Sequence, residues 1–169
     1  MEKKKIQFLL ACYNEVENIE PLYIQINQLI SNLPNYYFEF LFIDNASTDG
    51  TVDVLRRLAG QDKRVKVILN SRNFGYIRSP YHGLLQTDGD AVIYMATDFQ
   101  EPPDLIPEFI SLWENGNKLV LGVKNKSKEN PLMFSLRRAY YFLIKKFSEV
   151  EQVGNFTGFG LYDNQLFRL

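Results

Sequence analysis

One stretch of this sequence, residues 95–104, reads Met-Ala-Thr-Asp-Phe-Gln-Glu-Pro-Pro-Asp. It follows a run typical of a buried strand, residues 90–94, and precedes a run typical of a helix, residues 105–113. The turn between them carries a carboxylate, Asp98, and an amide, Gln100. Hard oxygen ligands of this kind suit Mg²⁺ or Mn²⁺, and such ions commonly hold a diphosphate. The turn is therefore a candidate site for a metal and a diphosphate.

Two more polar turns follow predicted strands earlier in the chain. Residues 40–51 read Phe-Leu-Phe-Ile-Asp-Asn-Ala-Ser-Thr-Asp-Gly-Thr, and residues 11–15 read Ala-Cys-Tyr-Asn-Glu. Ligands of open α/β sheets bind at the edge formed by the carboxyl ends of the strands. Because all three polar turns come at such ends, we expect them to share one ligand site.

Strand-like and helix-like patterns alternate along the chain. This alternation predicts an α/β fold, a three-layer sandwich with a mostly parallel central sheet. No G-x-G-x-x-G follows the first strand, which argues against a dinucleotide-binding Rossmann domain. Pro80 fits its predicted helix only if it lies in the first turn. The predicted strands cover residues 5–12, 37–43, 64–69, 91–95 and 118–123, and the predicted helices cover residues 17–33, 52–59, 77–87, 105–115 and 131–147.

Size and composition exclude several classes of protein. The 169 residues suffice for one domain with a real core, and the net charge of -1 gives no indication of nucleic-acid binding. Cys12 is the only cysteine, which excludes an intrachain disulfide and a cysteine-rich zinc site. No run approaches the roughly 20 apolar residues that cross a bilayer. The chain on its own is therefore expected to be soluble or peripheral to a membrane.

Four motifs together resemble the family 2 glycosyltransferases with a GT-A (Rossmann-like) fold. The resemblance is strongest to the polyprenyl-phosphate branch, which includes dolichyl-phosphate mannose synthases and bacterial undecaprenyl-phosphate sugar transferases. That branch typically reads P-x-Y-N-E, then D-D-x-S-x-D-G-T, then R-N-x-G, then A-D-L-Q-D-P-P-E. The counterparts in this chain are residues 11–15, 44–51, 72–75 and 97–104, in the same order.

The resemblance implies a function and its setting. It implies an inverting hexosyltransferase that moves a sugar from a nucleotide-diphosphate sugar to a polyprenyl phosphate in the synthesis of a cell-wall or surface polysaccharide. Mg²⁺ or Mn²⁺ would assist the diphosphate leaving group. Members of the branch often carry about two membrane-spanning helices after the catalytic domain, so residues 1–169 are expected to be a truncated catalytic domain. The full-length protein would then work at the cytoplasmic face of a membrane, and it could form a homo-oligomer.

The resemblance also assigns residues to the donor. Asp44 would recognise the nucleotide base, and Glu15 the ribose or the base edge. Tyr13 would pack against the nucleotide or simply join the core. Arg72 would lie near the nucleotide and diphosphate, unless it forms a surface salt bridge, and Lys124 would lie near the diphosphate. Ala11, Thr97 and Asp98 complete the expected nucleotide-sugar set. Asp49 is better explained as a turn and helix-capping residue.

The expected metal ligands are Asp98 and Gln100, and Asp98 is also an expected catalytic residue. Two positions depart from the family pattern. Ala96 stands where the first acid of the usual D-x-D lies, and Asn45 stands where a second aspartate is common. Some members of the branch resemble this chain in lacking that first acid while keeping the D-x-Q pair. Glu101 would either orient the ligands or cap the next helix.

Residues 157–163 resemble the acceptor-side motif of the family. Gly158 occupies the place where some relatives have an acid. A phosphate monoester has a second pKa of about 6, so it is largely ionised near neutral pH and needs no strong base. The glycine therefore fits a lipid-phosphate acceptor, with Asp163 as a catalytic base or orienting group.

Three alternatives stay open at this point. The enzyme could instead elongate a polysaccharide at a sugar hydroxyl, or the chain could be a catalytically weak nucleotide-sugar-binding domain. The amphipathic helix predicted over residues 131–147, with its interspersed cations, could pack on the core. It could also flank the acceptor entrance at a bilayer, which is the prediction we favour.

Overall fold

The computed structural model describes residues 3–123 and 156–167. Apolar strands and amphipathic helices alternate as predicted, which confirms the α/β fold class. The elements are β1 (Lys4–Cys12), α1 (Ile19–Ile30), β2 (Tyr36–Asp44), α2 (Thr51–Gln61), β3 (Val65–Leu69), α3 (Gly75–Leu85), β4 (Ala91–Ala96), α4 (Ile106–Glu114), β5 (Leu119–Val123) and β6 (Phe156–Asp163), with short 3₁₀ turns at Pro103–Leu105 and Asn164–Leu166.

The strands form a six-stranded sheet in the order β3-β2-β1-β4-β6-β5. Strands β1 to β4 are parallel, whereas β6 runs antiparallel to β4. In this register Cys12 pairs with Asp44, and Ala11 pairs with Ala96. The carboxyl ends of β1, β2 and β4 therefore meet at one edge, where the three polar turns begin.

Helices cover both faces of the sheet, as a three-layer arrangement requires. On one face α1, α2 and α4 pack against alternate residues of the central strands, including Phe8 and Phe40, which are fully buried. On the other face α3 packs over Leu9 and Ile43. The central strands are buried on both faces, which is why their sequences are almost continuously apolar.

Helix α3 departs from its prediction in one detail. It begins at Gly75, so Pro80 lies inside the helix and not in its first turn. Because proline has no amide hydrogen, the carbonyl of Tyr76 loses the hydrogen bond that residue 80 would otherwise donate. The expectation for Pro80 was therefore wrong, and the helix starts two residues earlier than the apolar pattern indicated.

The chain divides into a larger unit, Met1–Val120 with Phe159–Leu169, and a smaller unit, Leu121–Gly158. Of the smaller unit, the structure describes only the last residues of β5 and the first of β6. Lys124 and the helix predicted over residues 131–147 lie outside the described residues. Within the described part of the chain, no helix has the length and apolar character needed to span a bilayer.

Candidate active site

The three turns at the carboxyl edge share an uncommon backbone feature. In the described part of the chain, positive φ occurs at three non-glycine residues, Asn14 (57°), Ala46 (65°) and Phe99 (58°), one in each turn. Such conformations cost of order 1–3 kcal/mol each and tend to cluster at functional sites. Their coincidence at one sheet edge supports a ligand site there.

The first two turns are joined by side chains that bond to backbone groups. The Asn14 amide donates to Oγ of Ser47 (2.8 Å), and the Thr48 amide donates to Oδ1 of Asn14 (2.8 Å). The Glu15 amide donates to Oγ1 of Thr51 (2.9 Å). These bonds fix the turn after β1 against the turn after β2, which places Tyr13 and Glu15 beside the end of β2.

Asp49 bonds only within these turns in the described contacts. Its carboxylate accepts from the amide of Thr51 (3.0 Å), from the Thr51 hydroxyl (2.6 Å) and from the amide of Val16 (3.1 Å). Partial burial would raise the pKa of Asp49, but the bonds from Thr51 and Val16 hold it below its usual value. This geometry agrees with the turn role expected for Asp49.

Asp44 ends β2 in a buried position, with 1% of its surface exposed. Its Oδ2 accepts from the amide of Ser47 (3.0 Å), and its Oδ1 lies 4.0 Å from the thiol of Cys12. Oδ2 thus stabilises the turn, whereas Oδ1 has the Cys12 thiol as its single, weak donor among these bonds. The structure thus shows Asp44 in a turn role, and recognition of the base stays a prediction.

Asn45 connects β2 to the loop that precedes α3. Its side-chain amide donates to Oδ1 of Asn73 (2.9 Å) and to the carbonyl of Gly75 (3.3 Å). Its side-chain oxygen accepts from Nδ2 of Asn70 (3.2 Å) and from the amide of Phe74 (2.9 Å). All four bonds form at a residue that is only 7% exposed. An aspartate could make the two accepted bonds but not the two donated ones.

Hydrogen bonds from residues on both sides of Asp98 hold the turn after β4. The Thr97 hydroxyl is buried and donates to the carbonyl of Ala11 (3.2 Å). The buried carboxylate of Glu101 accepts from the amide of Ala96 (3.0 Å). Glu101 therefore bonds back to the last residue of β4 and helps to hold the start of the turn. Oδ1 of Asp98 accepts from the Gln100 amide (3.1 Å).

Asp98 and Gln100, the two side chains expected to contact a metal, both lie in the turn after β4. Within residues 3–123 and 156–167, no three His, Cys, Asp or Glu side chains form a group that could hold an ion. One carboxylate and one amide suit Mg²⁺ or Mn²⁺ if the remaining ligands are phosphate oxygens and water, which is the usual way Mg²⁺ binds with a nucleotide. The residues fit a metal that arrives with a diphosphate.

A cavity of about 370 Å³ opens between the ends of β1, β2 and β4 and the start of α3. Among the described residues that line it, none is charged, and several carry polar or aromatic side chains. These include Tyr13, Asn45, Asn73, Tyr76 and Tyr94, with Ala11 and Ala96 at the strand ends. Such a lining suits an uncharged ring more than a phosphate.

Tyr94 is a cavity residue that the sequence analysis did not single out. Burial, then the negative charges of Glu101 and Asp98, raises its pKa to about 12. The phenol is protonated at neutral pH, as an ordinary tyrosine is, and Tyr94 lines the cavity. The alternation of side chains along a strand could have indicated Tyr94, because residues 94 and 96 point to the same face of β4.

Arg72 lies in the exposed loop between β3 and α3. Its guanidinium carbon stands 4.6 Å from the centre of the Phe74 ring, and the residue is exposed. It forms no salt bridge with any residue in the described ranges, so the surface ion pair considered above is not observed there.

Asp163 lies at the amino end of β4, opposite the edge that carries the three polar turns. It pairs with Ala91, the first residue of β4, because β6 is antiparallel. Five residues of strand, about 17 Å, separate that position from Ala96. Its carboxylate instead accepts from Nε1 of Trp113 (2.7 Å) and Nζ of Lys118 (3.0 Å). The expectation that Asp163 acts as a base or orienting group at the acceptor is therefore corrected to a structural role.

This correction predicts a stability effect without a binding effect. Burial would raise the pKa of Asp163, but the Trp113 and Lys118 bonds hold it below its usual value, so the bonded form is the carboxylate. We expect Asp163→Asn to lower the free energy of unfolding by about 1–3 kcal/mol, measured by urea denaturation. Nucleotide affinity should equal that of the parent. A selective loss of nucleotide binding in a fully folded variant would contradict the structural role.

Comparisons with known proteins give three kinds of similarity. The chain matches the description "Glycosyl transferase family 2" over residues 8–168. It is 33% identical over 156 residues to the bactoprenol glucosyl transferase of Shigella phage SfX, covering 90% of this chain and 51% of that protein. It is 31% identical over 156 residues to a prophage bactoprenol glucosyl transferase homolog of Escherichia coli K12, again covering 90% and 51%. The chain thus spans about half the length of these relatives.

Two solved structures show the same fold. Mannosyl-3-phosphoglycerate synthase from Rubrobacter xylanophilus matches with a TM-score of 0.69 at 18% identity, over 97% of this chain and 54% of that one. A mannosyltransferase from Pyrobaculum calidifontis, solved in complex with GDP-Man and Mn²⁺, matches with a TM-score of 0.62 at 17% identity, over 98% and 46%. The fold of this chain is therefore one that other proteins share.

Proposed function

The chain belongs to glycosyl transferase family 2, and on this premise we propose that it is the donor-binding catalytic part of an inverting hexosyltransferase. It would take a sugar from a nucleotide-diphosphate sugar and transfer it to a polyprenyl phosphate. The observation that carries the proposal is the convergence of three strained polar turns around an uncharged cavity at the carboxyl edge of the sheet. Relatives that are named bactoprenol glucosyl transferases support the acceptor.

The proposal divides the donor between two environments. The uncharged cavity would hold a neutral ring of the donor, with Tyr13 and Tyr76 as aromatic surfaces and Asp44 beside the base. The charged diphosphate would lie outward, between Asp98 with Gln100 and the exposed cation Arg72. Lys124, which lies outside the described residues, stays a prediction for the same diphosphate.

Asp98 and Gln100 would hold Mg²⁺ or Mn²⁺ when the donor is bound. The ion would neutralise the charge that develops on the leaving diphosphate. The residues of this chain would position the ion and the donor. Thr97 and Glu101 hold in place the turn that carries Asp98, and such positioning of a catalytic group favours reaction.

The acceptor chemistry requires little of the protein. An oxygen of the lipid phosphate would bond to the anomeric carbon as the bond from that carbon to the diphosphate breaks. A phosphate monoester is largely ionised near neutral pH, so no proton has to be removed first. A sugar hydroxyl would need a carboxylate base, and Asp163, the acid that the motif offered, lies at the other edge of the sheet. This placement favours the lipid phosphate over a polysaccharide acceptor.

The reaction would take place at the cytoplasmic face of a membrane, where a nucleotide sugar and a lipid phosphate can meet. A direct test of the donor site is a thermal-shift panel of nucleotide sugars, with and without Mn²⁺, on the 169-residue chain. Specific ligands raise the melting temperature by mass action. A panel with no stabilising nucleotide sugar would refute the donor site. Binding of a nucleotide sugar without turnover would instead indicate a catalytically weak binding domain.

We expect Asp44→Ala to weaken binding of the free nucleoside as much as binding of the nucleotide sugar. Recognition of the base does not require the diphosphate, so both ligands should lose the same contact. Isothermal titration of the two ligands measures the effect, and Asp53→Ala, at an exposed acid of α2, is the matched control. An effect confined to ligands that contain a diphosphate would move Asp44 away from the base.

A further inference from the structure

Helix α3 places small residues, rather than its large apolar ones, against the sheet. Its buried residues are the small ones, Ser79 and Gly83. A Cβ atom at Gly83 would lie 2.7 Å from Cδ1 of Leu9, so the helix approaches the sheet too closely for a larger side chain there. The large apolar side chains of α3 are consequently left to other faces of the helix.

Several of those side chains form a continuous stripe on the outside. Ile77, Tyr81 and Leu85 are 66%, 61% and 54% exposed, and their spacing of four residues places them on one line. Phe74, 36% exposed, extends the line at the start of the helix. We call these four residues the α3 stripe. Single exposed apolar residues are ordinary, but a contiguous apolar patch indicates an interaction surface.

The segment that carries the α3 stripe has basic residues and no acidic ones. Arg72 and Arg78 are exposed beside it. No aspartate or glutamate occurs between Asn70 and Thr87, although acids outnumber bases by 20 to 19 in the whole chain. A groove of about 480 Å³ runs next to the stripe, between β3 and α3, and its described lining includes Leu69 and Phe74 but no acid.

We propose that the α3 stripe is the surface by which this domain lies on a bilayer that contains anionic lipid. Apolar and aromatic side chains flanked by cations match the boundary between acyl chains and negatively charged headgroups. The stripe begins next to Tyr76, which lines the cavity, so the mouth of the cavity would open near the membrane surface. This interaction needs no donor, metal or acceptor and can be measured without turnover.

Flotation of the 169-residue chain with vesicles of phosphatidylglycerol and phosphatidylcholine tests the proposal. The main variant replaces three members of the stripe, Ile77→Gln with Tyr81→Gln and Leu85→Gln. Its matched control is Ile24→Gln, which removes a side chain that is 48% exposed on α1, at the other face of the sheet. The charge variant is Arg78→Gln, and its control is Arg56→Gln on α2.

We expect the parent to float with anionic vesicles and the triple variant to bind about tenfold or more weakly. Arg78→Gln should weaken binding to anionic vesicles only, while both controls should bind as the parent does. The nucleotide thermal shift of each variant shows that the fold and the cavity are intact. A parent that does not float, or a triple variant that floats equally well, overturns the proposal. A parent that dimerises while the triple variant is monomeric would assign the stripe to a second copy and also overturn it.

The two proposals can fail separately. If the parent floats but no nucleotide sugar stabilises it, the donor site is refuted and the membrane surface stands. If nucleotide sugars bind but the parent does not float, the donor site stands and the membrane surface is refuted.

Discussion

Asp98→Asn is expected to abolish divalent-dependent nucleotide binding and to lower kcat/KM by roughly a hundredfold or more. Asparagine keeps the shape of the side chain and an oxygen that can accept from the Gln100 amide, so the turn should keep its conformation. What is lost is the negative charge, and Mg²⁺ and Mn²⁺ bind carboxylate oxygens in preference to neutral ones. Titration of the nucleotide at increasing Mn²⁺ measures the binding effect, and turnover of the donor measures kcat/KM.

The matched control for this variant is Asp104→Asn. Asp104 is exposed and lies in the 3₁₀ turn that follows the same loop, so its replacement changes the net charge equally. We expect the control to bind nucleotide and Mn²⁺ as the parent does. If Asp98→Asn also binds both as tightly as the parent, the assignment of the metal to this turn is wrong.

Asn45→Asp is expected to lower the free energy of unfolding by about 2–4 kcal/mol and to weaken nucleotide binding. The substitution introduces the residue that is common at this position in the family, yet this chain is built around the amide. A carboxylate oxygen would face Oδ1 of Asn73 and the carbonyl of Gly75, which now accept from the Asn45 amide. Each buried polar group left without its partner costs about 1–3 kcal/mol.

The loss should reach the ligand because Asn45, Asn73 and Gly75 all line the cavity. Urea denaturation gives the stability change, and isothermal titration gives the nucleotide affinity of the folded variant. Asn35→Asp adds the same charge at an exposed turn residue and serves as the control. Equal stability and equal affinity for the two variants would show that the Asn45 bonds do not shape the cavity.

Much of the fold follows from local patterns in the sequence. The apolar runs over residues 5–12, 37–43 and 91–95 predict the three strands on which the site depends, and the structure contains these strands, each longer by one or two residues. Parallel strands bring their carboxyl ends to one edge, so the polar turns had to meet. The turn role of Asp49 was equally predictable, because an aspartate before a helix readily bonds to nearby backbone amides.

The residues of a strand do not by themselves show whether it runs parallel or antiparallel to its neighbour. The motif that contains Asp163 predicted a place at the acceptor, but β6 enters the sheet antiparallel to β4 and carries Asp163 to the far edge. Nothing in residues 157–163 distinguishes the two directions, since a strand has the same side-chain period either way. That choice depends on which neighbour the strand pairs with.

Local patterns in the sequence are sufficient to predict the α/β class, the edge that carries the site, and the residues of the three turns. Each of these depends on side-chain periods and turn residues within a few positions of one another. Long-range packing sets the partners of Asn45, the structural role of Asp163 and the outward face of α3. Asn45 meets groups 25 to 30 residues away, and Asp163 meets Trp113, 50 residues away. Contacts over such separations form only when the packed sheet brings the segments together, so no local pattern specifies them.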